Sequence, residues 1–234
     1  ISSALSSNLA TYYNFDESYG FTVNDYIGSN TGTIIGTGTQ WVNGESGYSL
    51  NFVGSSYVQL SFLPTSGTSD FTQSAWVNTT KTGTGVRQGI ISYGRHISNN
   101  QGTYLYLGTG GNLHFDLVNS AGPISLSGVA DGNWHQVSVT HKAGSVQLYI
   151  DGLVNGSLTI MSPNINSLAG DQIIGADINS KGNKFVGNID EAGIWNRALT
   201  AAEMTTLYNL SGVIFPQRIL FRGILEDMHY TGDN

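Results

Sequence analysis

Few side chains in this sequence are suited to catalysis. There is no Cys, so a thiol nucleophile and Cys-ligated metals are excluded. The five His residues lack the HExxH spacing of a zinc protease, and no GxSxG turn presents a serine. Glycoside hydrolysis needs two carboxyl groups facing one another, but the acidic pairs Asp16-Glu17, Asp190-Glu191 and Glu226-Asp227 are sequential. Neighbouring residues of a strand point to opposite faces, so the inventory argues against an enzyme.

A polar and aromatic cluster is the strongest candidate for ligand binding. Residues 93–101 read YGRHISNNQ, and two tyrosines follow at a spacing of two, which puts both on one strand face. Flat rings with amide and charged neighbours suit a sugar. The alternative is that the tyrosines fill a half-buried sheet and the Asn-rich loop is a solvated turn. The candidate glycan-binding residues are Tyr93, Arg95, His96, Asn99, Tyr104 and Tyr106.

Residues 131–152 predict a β-hairpin that would help to position such a site. Apolar residues alternate with polar ones in two runs, at Val137 and Val139 and then at Val146, Leu148 and Ile150. Asp151-Gly152 is a hairpin signal, because both positions of such a turn need positive φ.

The segment 185–208 predicts a last strand followed by a short helix. Thr200 stands three residues before Glu203, the spacing of a capping box, so the helix is expected near residues 201–209. The inward faces of the predicted strands should include Trp76, Val137, Val139, Leu148, Ile150, Ile189 and Trp195.

These two segments carry a family resemblance. DGNWHQVSVTHKAGSVQLYIDG and FVGNIDEAGIWNRALTAAEMTTLY resemble the hairpin and the closing strand and helix of laminin-G-like and pentraxin-like domains, members of the concanavalin A-like superfamily. Weaker matches such as FTQSAWV extend the resemblance in order over roughly residues 8 to 210. It implies an all-β fold: a two-sheet antiparallel jelly-roll sandwich with one short C-terminal helix. It also implies a non-catalytic glycan-binding or adhesion module that acts outside the cell.

The resemblance further implies a structural Ca²⁺ ion. In this superfamily such an ion commonly joins the first strand, a Gly-containing loop and the acidic residue that opens the last strand. The matching positions are Asp16, Asp25, Asn43 and Asp190. The alternative is that Asp16 and Asp25 cap turns and that Asp190 bonds to backbone. The E-x-D-x-x-E strand of the related glycoside hydrolases is missing here.

Composition limits the partners. The formal net charge is −7, and the nine Lys and Arg residues form no basic stripe, so nucleic acid is not expected as a partner. No apolar run approaches the ~18 residues of a membrane helix, so membrane insertion is not expected either.

The C-terminal segment distinguishes a binding module from a protein of a larger assembly. Residues 1–212 are expected to form the domain, and the apolar residues 213–234 an arm that packs on it or on a neighbouring subunit of an oligomer. The leading function is glycan or cell-surface binding at an extracellular, cell-surface or virion-surface location. The alternative is a structural or decoration protein of a larger virion or cell-surface assembly, in which the C-terminal arm makes the contacts. A glycoside hydrolase or lyase is third.

Overall fold

The structure, a computed structural model, describes residues 3–61, 67–82, 87–96, 100–166, 172–179 and 181–210. Asn99 and the predicted arm at 213–234 lie outside these residues. The strands in chain order are β1 (Leu9–Tyr13), β2 (Thr22–Val23), β3 (Gly32–Gly36), β4 (Gln40–Asn43), β5 (Tyr48–Val53), β6 (Ser56–Leu60), β7 (Phe71–Asn78), β8 (Gln88–Gly94), β9 (Gly102–Leu107), β10 (Asn112–Leu117), β11 (Ile124–Gly128), β12 (Trp134–Lys142), β13 (Ser145–Ile150), β14 (Leu153–Val154), β15 (Thr159–Ile160), β16 (Gln172–Ile174) and β17 (Val186–Trp195).

Within the described residues, these strands form two antiparallel sheets. The nine-stranded sheet has the order β14-β13-β12-β7-β17-β5-β4, with β1 paired to β17 and β15 paired to β13. The eight-stranded sheet has the order β11-β10-β9-β8-β16-β6-β3-β2. The two-sheet antiparallel jelly-roll sandwich predicted from the sequence is confirmed.

The predicted hairpin is present as β12 and β13. Val137 faces Ile150 and Val139 faces Leu148 across the ladder. Asp151 and Gly152 have φ of 53° and 74°, as their turn requires, and they return the chain into the short strand β14. The two strands predicted from the alternation of apolar and polar residues therefore pair as a hairpin.

The main core fills the space between the sheets, and it contains five of the seven residues predicted to point inward. The prediction was wrong for Trp76 and Trp195. Ala75 and Val77 occupy the inner face of β7, so Trp76 points outward and stacks on Tyr208 at 5.4 Å. Trp195 is buried in a separate cluster on the outer face of the nine-stranded sheet. A bulge between Asp190 and Gly193 shifts the alternation of β17 before it reaches Trp195.

Two helices cover that outer cluster in the described part of the chain, α1 (Ser3–Ser6) and α2 (Ala201–Asn209). The predicted capping box of α2 is present, with Thr200 and Glu203 bonding to each other's backbone N–H. The sequence analysis predicted only this helix. The single turn α1 lies against Trp195, whose indole N–H donates to the Leu5 carbonyl at 2.7 Å. Neither helix is long and apolar enough to cross a membrane.

Candidate functional site

A cleft on the outer face of the eight-stranded sheet is lined by two of the six predicted glycan-binding residues, His96 and Tyr104. Leu105 and Leu107 of β9 point into the core, so Tyr104 and Tyr106 both point outward, as predicted. Beside Tyr104 the surface opens into a cavity of about 340 Å³. We call it the Tyr104–Asp177 cleft; its walls include Arg87, His96, Tyr104, Asp116, Asp177 and Asn183.

One side of the cleft is held by a saturated network around Asp116. Its carboxylate accepts hydrogen bonds from the Tyr106 hydroxyl at 2.8 Å and the Gly122 N–H at 3.0 Å, and pairs with the Arg87 guanidinium at 3.0 Å. Arg87 lies over the Tyr106 ring, 4.6 Å from its centroid, and His114 stacks on Tyr106 at 4.9 Å. Tyr106 therefore supports the floor of the cleft but has no open ring face for a ligand.

The other side presents two buried polar atoms that lack partners. Tyr104 is 4% exposed and Asp177 is 3% exposed. Asn183 donates to Asp177 Oδ2, whereas Asp177 Oδ1 and the Tyr104 hydroxyl have no hydrogen-bond partner among the described residues. Buried polar groups are nearly always satisfied, so these two atoms mark where a polar ligand would be received.

The charge state of the cleft follows from its burial. Burial, together with the nearby Asp177 charge, raises the pKa of Tyr104, so its hydroxyl stays neutral and can donate a hydrogen bond. Burial also raises the pKa of Asp177, which hydrogen bonding by Asn183 and the charges of Arg87 and His96 oppose. A ligand with several hydroxyl groups suits this combination of donor and acceptor.

The predicted residues have different fates in the structure. The prediction that Tyr93 binds a glycan is wrong, because its ring is fully buried between the sheets and packs edge-on against Phe71. Arg95 is half-buried in the turn after β8 and does not line the cleft, and Asn99 lies outside the described residues. His96 is exposed on the rim, with its ring 6.2 Å from that of Tyr104.

Sequence reasoning missed the residues that supply most of the polar wall. Arg87 directly precedes β8, Asp116 lies in β10, and Asp177 and Asn183 come from the connection between β16 and β17. Asp and Asn in a connection normally indicate a turn, so nothing in the sequence related them to a strand more than 70 positions earlier.

The predicted calcium residues come together only in part. Asp190 is fully buried beside the β4–β5 turn, where its carboxylate accepts from the Ser46 N–H at 3.1 Å and the Glu191 N–H at 2.8 Å. Asp16 reaches the same turn and accepts from the Tyr48 N–H at 2.9 Å. Desolvation raises the pKa of Asp190 to about 8, and the Asp16 charge adds to the effect.

A glycine makes room for this corner. A Cβ on Gly44 would lie 2.5 Å from both Asp190 Oδ2 and the Tyr48 carbonyl oxygen. A carboxylate oxygen and a carbonyl oxygen, both ligands that calcium prefers, therefore lie close together beside Gly44. The donor set fits a hard cation, because backbone carbonyls are as suitable as carboxylates.

Asp25 and Asn43 do not join this corner through their side chains. Asp25 accepts three hydrogen bonds from within residues 12–30, those of Tyr12, Ile27 and Asn30, as the turn-capping alternative predicted. Asn43 is exposed at the end of β4, and its carbonyl accepts from Ser49. No three His, Asp or Glu side chains of the described residues are grouped so as to hold a metal ion.

Comparison with known families agrees with the fold. A laminin G family model, described as concanavalin A-like lectin/glucanases superfamily, matches residues 52–205. The chain therefore belongs to this superfamily. No curated protein sequence matches it.

Solved structures share the architecture at low sequence identity. Domain 4 of AbnA, an extracellular arabinanase from Geobacillus stearothermophilus solved with arabinotriose, superposes with a TM-score of 0.67 at 22% identity, over 86% of this chain and 98% of that one. The binding domain of Paraclostridial Mosquitocidal Protein 1 gives 0.65 at 20% identity over 88% of this chain. Botulinum neurotoxin type C, described as dependent on two ganglioside molecules for cell entry, gives 0.65 at 15% identity over 88% of this chain. This chain spans about half (52%) of each of the two toxin chains.

Proposed function

We propose that the chain is a non-catalytic glycan-binding module that acts outside the cell, and that the Tyr104–Asp177 cleft is its binding site. One observation carries the proposal: Tyr104 and Asp177 line one cavity, and each has a buried polar atom, the Tyr104 hydroxyl and Asp177 Oδ1, without a hydrogen-bond partner among the described residues. Leaving a buried polar group unsatisfied costs about 1–3 kcal/mol. A sugar supplies the hydroxyl groups that satisfy both.

The neighbours support this assignment. The arabinanase domain was solved with a bound neutral oligosaccharide, and the neurotoxin chain depends on gangliosides. The arabinanase domain is matched over nearly its whole length, so arabinotriose is a sensible first probe.

The chemistry of the cleft favours binding over hydrolysis. Glycosidases use two carboxyl groups, one to protonate the leaving oxygen and one as nucleophile or base. Here Asp116 is bonded to Tyr106, Arg87 and a backbone N–H, and of the two described carboxylates that line the cleft only Asp177 has an oxygen without a partner. One available carboxylate can orient a sugar but does not complete that pair.

The binding test is a glycan array followed by calorimetric titration of the best ligand, with arabinotriose included. Asp177→Asn replaces a carboxylate oxygen and Tyr104→Phe removes the hydroxyl, each with little change in the shape of the side chain. A lost hydrogen bond of about 1–3 kcal/mol corresponds to roughly 5- to 150-fold weaker binding. Tyr26→Phe and Asp131→Asn are matched controls, because neither residue lines the cleft. Unchanged affinity in both cleft variants would rule out the cleft, and no binding by the wild type would rule out the function.

We also propose that Asp190 and Asp16, with backbone carbonyls of the β4–β5 turn, hold a structural Ca²⁺ ion. The support is a fully buried carboxylate without a cationic partner among the described residues, next to a second carboxylate and a carbonyl. When bound, the ion supplies positive charge that favours ionised carboxylates. Its effect would be to tie β1 and β17 to the β4–β5 turn.

A second candidate function, a structural role in a larger assembly, is favoured by an exposed apolar edge. Leu126 of β11, Leu153 of β14 and Ile160 of β15 are 84%, 65% and 77% exposed where the edges of the two sheets meet. Asn155 joins these edges by accepting from the Leu126 N–H at 2.7 Å. Light scattering of the full chain and of Leu126→Glu tests this role. An assembly protein would lose its higher-mass species in the variant, whereas a monomeric binding module would show none.

A further inference from the structure

The loop between β1 and β2 carries the most exposed aromatic rings of the described residues. Tyr19 is 81% exposed and Phe21 is 71% exposed. The loop is tied to the domain from behind, because the Trp41 indole N–H donates to the Gly20 carbonyl at 3.2 Å. Two large aromatic rings are therefore exposed to solvent on either side of a residue that is hydrogen-bonded to the rest of the domain.

A cavity of about 360 Å³ is lined by residues 17–24, with both rings in its lining. Its lining includes Glu17, Thr22 and Asn24. Glu17 Oε1 accepts from the Asn24 N–H at 2.7 Å, while Oε2 is buried and has no hydrogen-bond partner among the described residues. The cavity lining thus combines a hydrogen-bond acceptor without a partner among the described residues and two aromatic rings, the features that bind a sugar ring.

The charge around this loop restricts the ligand. Residues 1–80 contain no Lys or Arg, whereas they contain five acidic residues: Asp16, Glu17, Asp25, Glu45 and Asp70. The acidic side chains of this segment disfavour sialylated or sulfated glycans and anionic lipid headgroups, since residues 1–80 supply no Lys or Arg to offset their charge. A neutral sugar carries no such penalty.

We propose that residues 17–24 form a second carbohydrate site, which stacks a neutral sugar ring on Tyr19 and Phe21 and binds its hydroxyl groups through Glu17. The site lies beside β2, at the end of the eight-stranded sheet, five strand steps from β9 in the cleft. At ~4.8 Å per step the two sites are roughly 24 Å apart. A polysaccharide long enough to reach both would bind through two contacts and gain from effective concentration.

The test is affinity electrophoresis of the full chain through gels that contain linear arabinan, xylan or mixed-linkage β-glucan. Four proteins are compared: the wild type, Tyr19→Ala/Phe21→Ala, Asp177→Asn and the combined variant. The matched control is Leu126→Ala/Ile160→Ala, which removes equally exposed apolar side chains from the other end of the same sheet and from the adjoining edge. The aromatic double variant should be retarded roughly tenfold more weakly than the wild type by at least one polysaccharide, and the control should be unaffected.

The other outcomes separate this proposal from the function of the cleft. Loss in Asp177→Asn alone overturns the second site and leaves the cleft in place. Loss in the aromatic variant alone keeps the second site and removes the cleft. Retardation in none of the gels overturns the second site, because ring stacking on exposed aromatics tolerates many neutral sugars. Co-sedimentation with phosphatidylcholine vesicles that depends on Tyr19 and Phe21 would show a membrane-contacting loop instead.

Discussion

The buried carboxylate of Asp190 makes the metal-free protein sensitive to pH in a direction that can be worked out. Its pKa is 3.8 in the ordinary state and about 8 when folded, because burial disfavours the charged form. Between these values the folded chain holds a proton that the unfolded chain has released. Stability is therefore greatest at low pH and falls as the pH rises towards 8.

The expected size follows from linkage. A difference of one proton changes the free energy of unfolding by about 1.36 kcal/mol per pH unit, so from pH 5 to pH 8 the loss is about 4 kcal/mol. Asp190→Asn has no titrating group and should lack this component. Its amide offers one acceptor to the two N–H donors of Ser46 and Glu191, so its absolute stability is also lower. The informative quantity is therefore the change in the free energy of unfolding between pH 5 and pH 8, not the free energy at either pH alone.

Urea unfolding at pH 5 and pH 8 in EDTA measures both slopes, with Asp25→Asn as a control whose carboxylate is already saturated by backbone and amide donors. Adding calcium at pH 8 should restore the stability of the wild type and of the control but not that of Asp190→Asn. Equal pH slopes in wild type and Asp190→Asn would refute the argument from burial. An equal calcium effect in both proteins would remove the metal from this corner.

Three further predictions concern the framework. Thr200→Ala removes the cap of α2 and should cost about 1 kcal/mol of stability, measured by urea unfolding at constant pH. Leu148→Ala leaves a cavity between the sheets and should cost about 2–5 kcal/mol in the same assay, with an unchanged m-value. His135 is partly buried, which lowers its pKa, but its contacts with Asp151 at 2.8 Å and Asp131 at 3.2 Å outweigh burial and raise the pKa above 6.5. Protonated His135 therefore stabilises the fold below pH 6.5, and this contribution is lost as the pH rises through the raised pKa, so His135→Gln should show a shallower decline than wild type from pH 6 to 8.

Local patterns allowed much of the fold to be predicted. The alternation in β12 and β13 and the Asp151-Gly152 turn identified the hairpin, and the Thr200–Glu203 spacing identified α2. Each of these features is decided by residues close in sequence. The hairpin strands and the helix cap can therefore be predicted without knowledge of the rest of the chain.

The failures arose where distant parts of the chain meet. Trp76 was predicted to point inward because it lies in a strand motif, FTQSAWV, that resembles the family's, yet the outer face of its sheet is covered by α2, whose docking position no local pattern gives. Asp177 was missed because only the pairing of β16 with β8 carries its loop to the cleft beside Tyr104. Tyr104 itself was predicted from its polar neighbourhood, but the structure buries its hydroxyl and leaves the residue only 4% exposed.

Chemical-shift mapping of the ¹⁵N-labelled full chain during titration with the best ligand from the glycan array tests the central claim most directly. The side-chain amide of Asn183, which bonds to Asp177, and the backbone amides of β9 report on the cleft. If the cleft binds the ligand, these signals shift in a saturable way and Asp177→Asn weakens the response. Signals of the cleft that stay fixed while others saturate would contradict the claim.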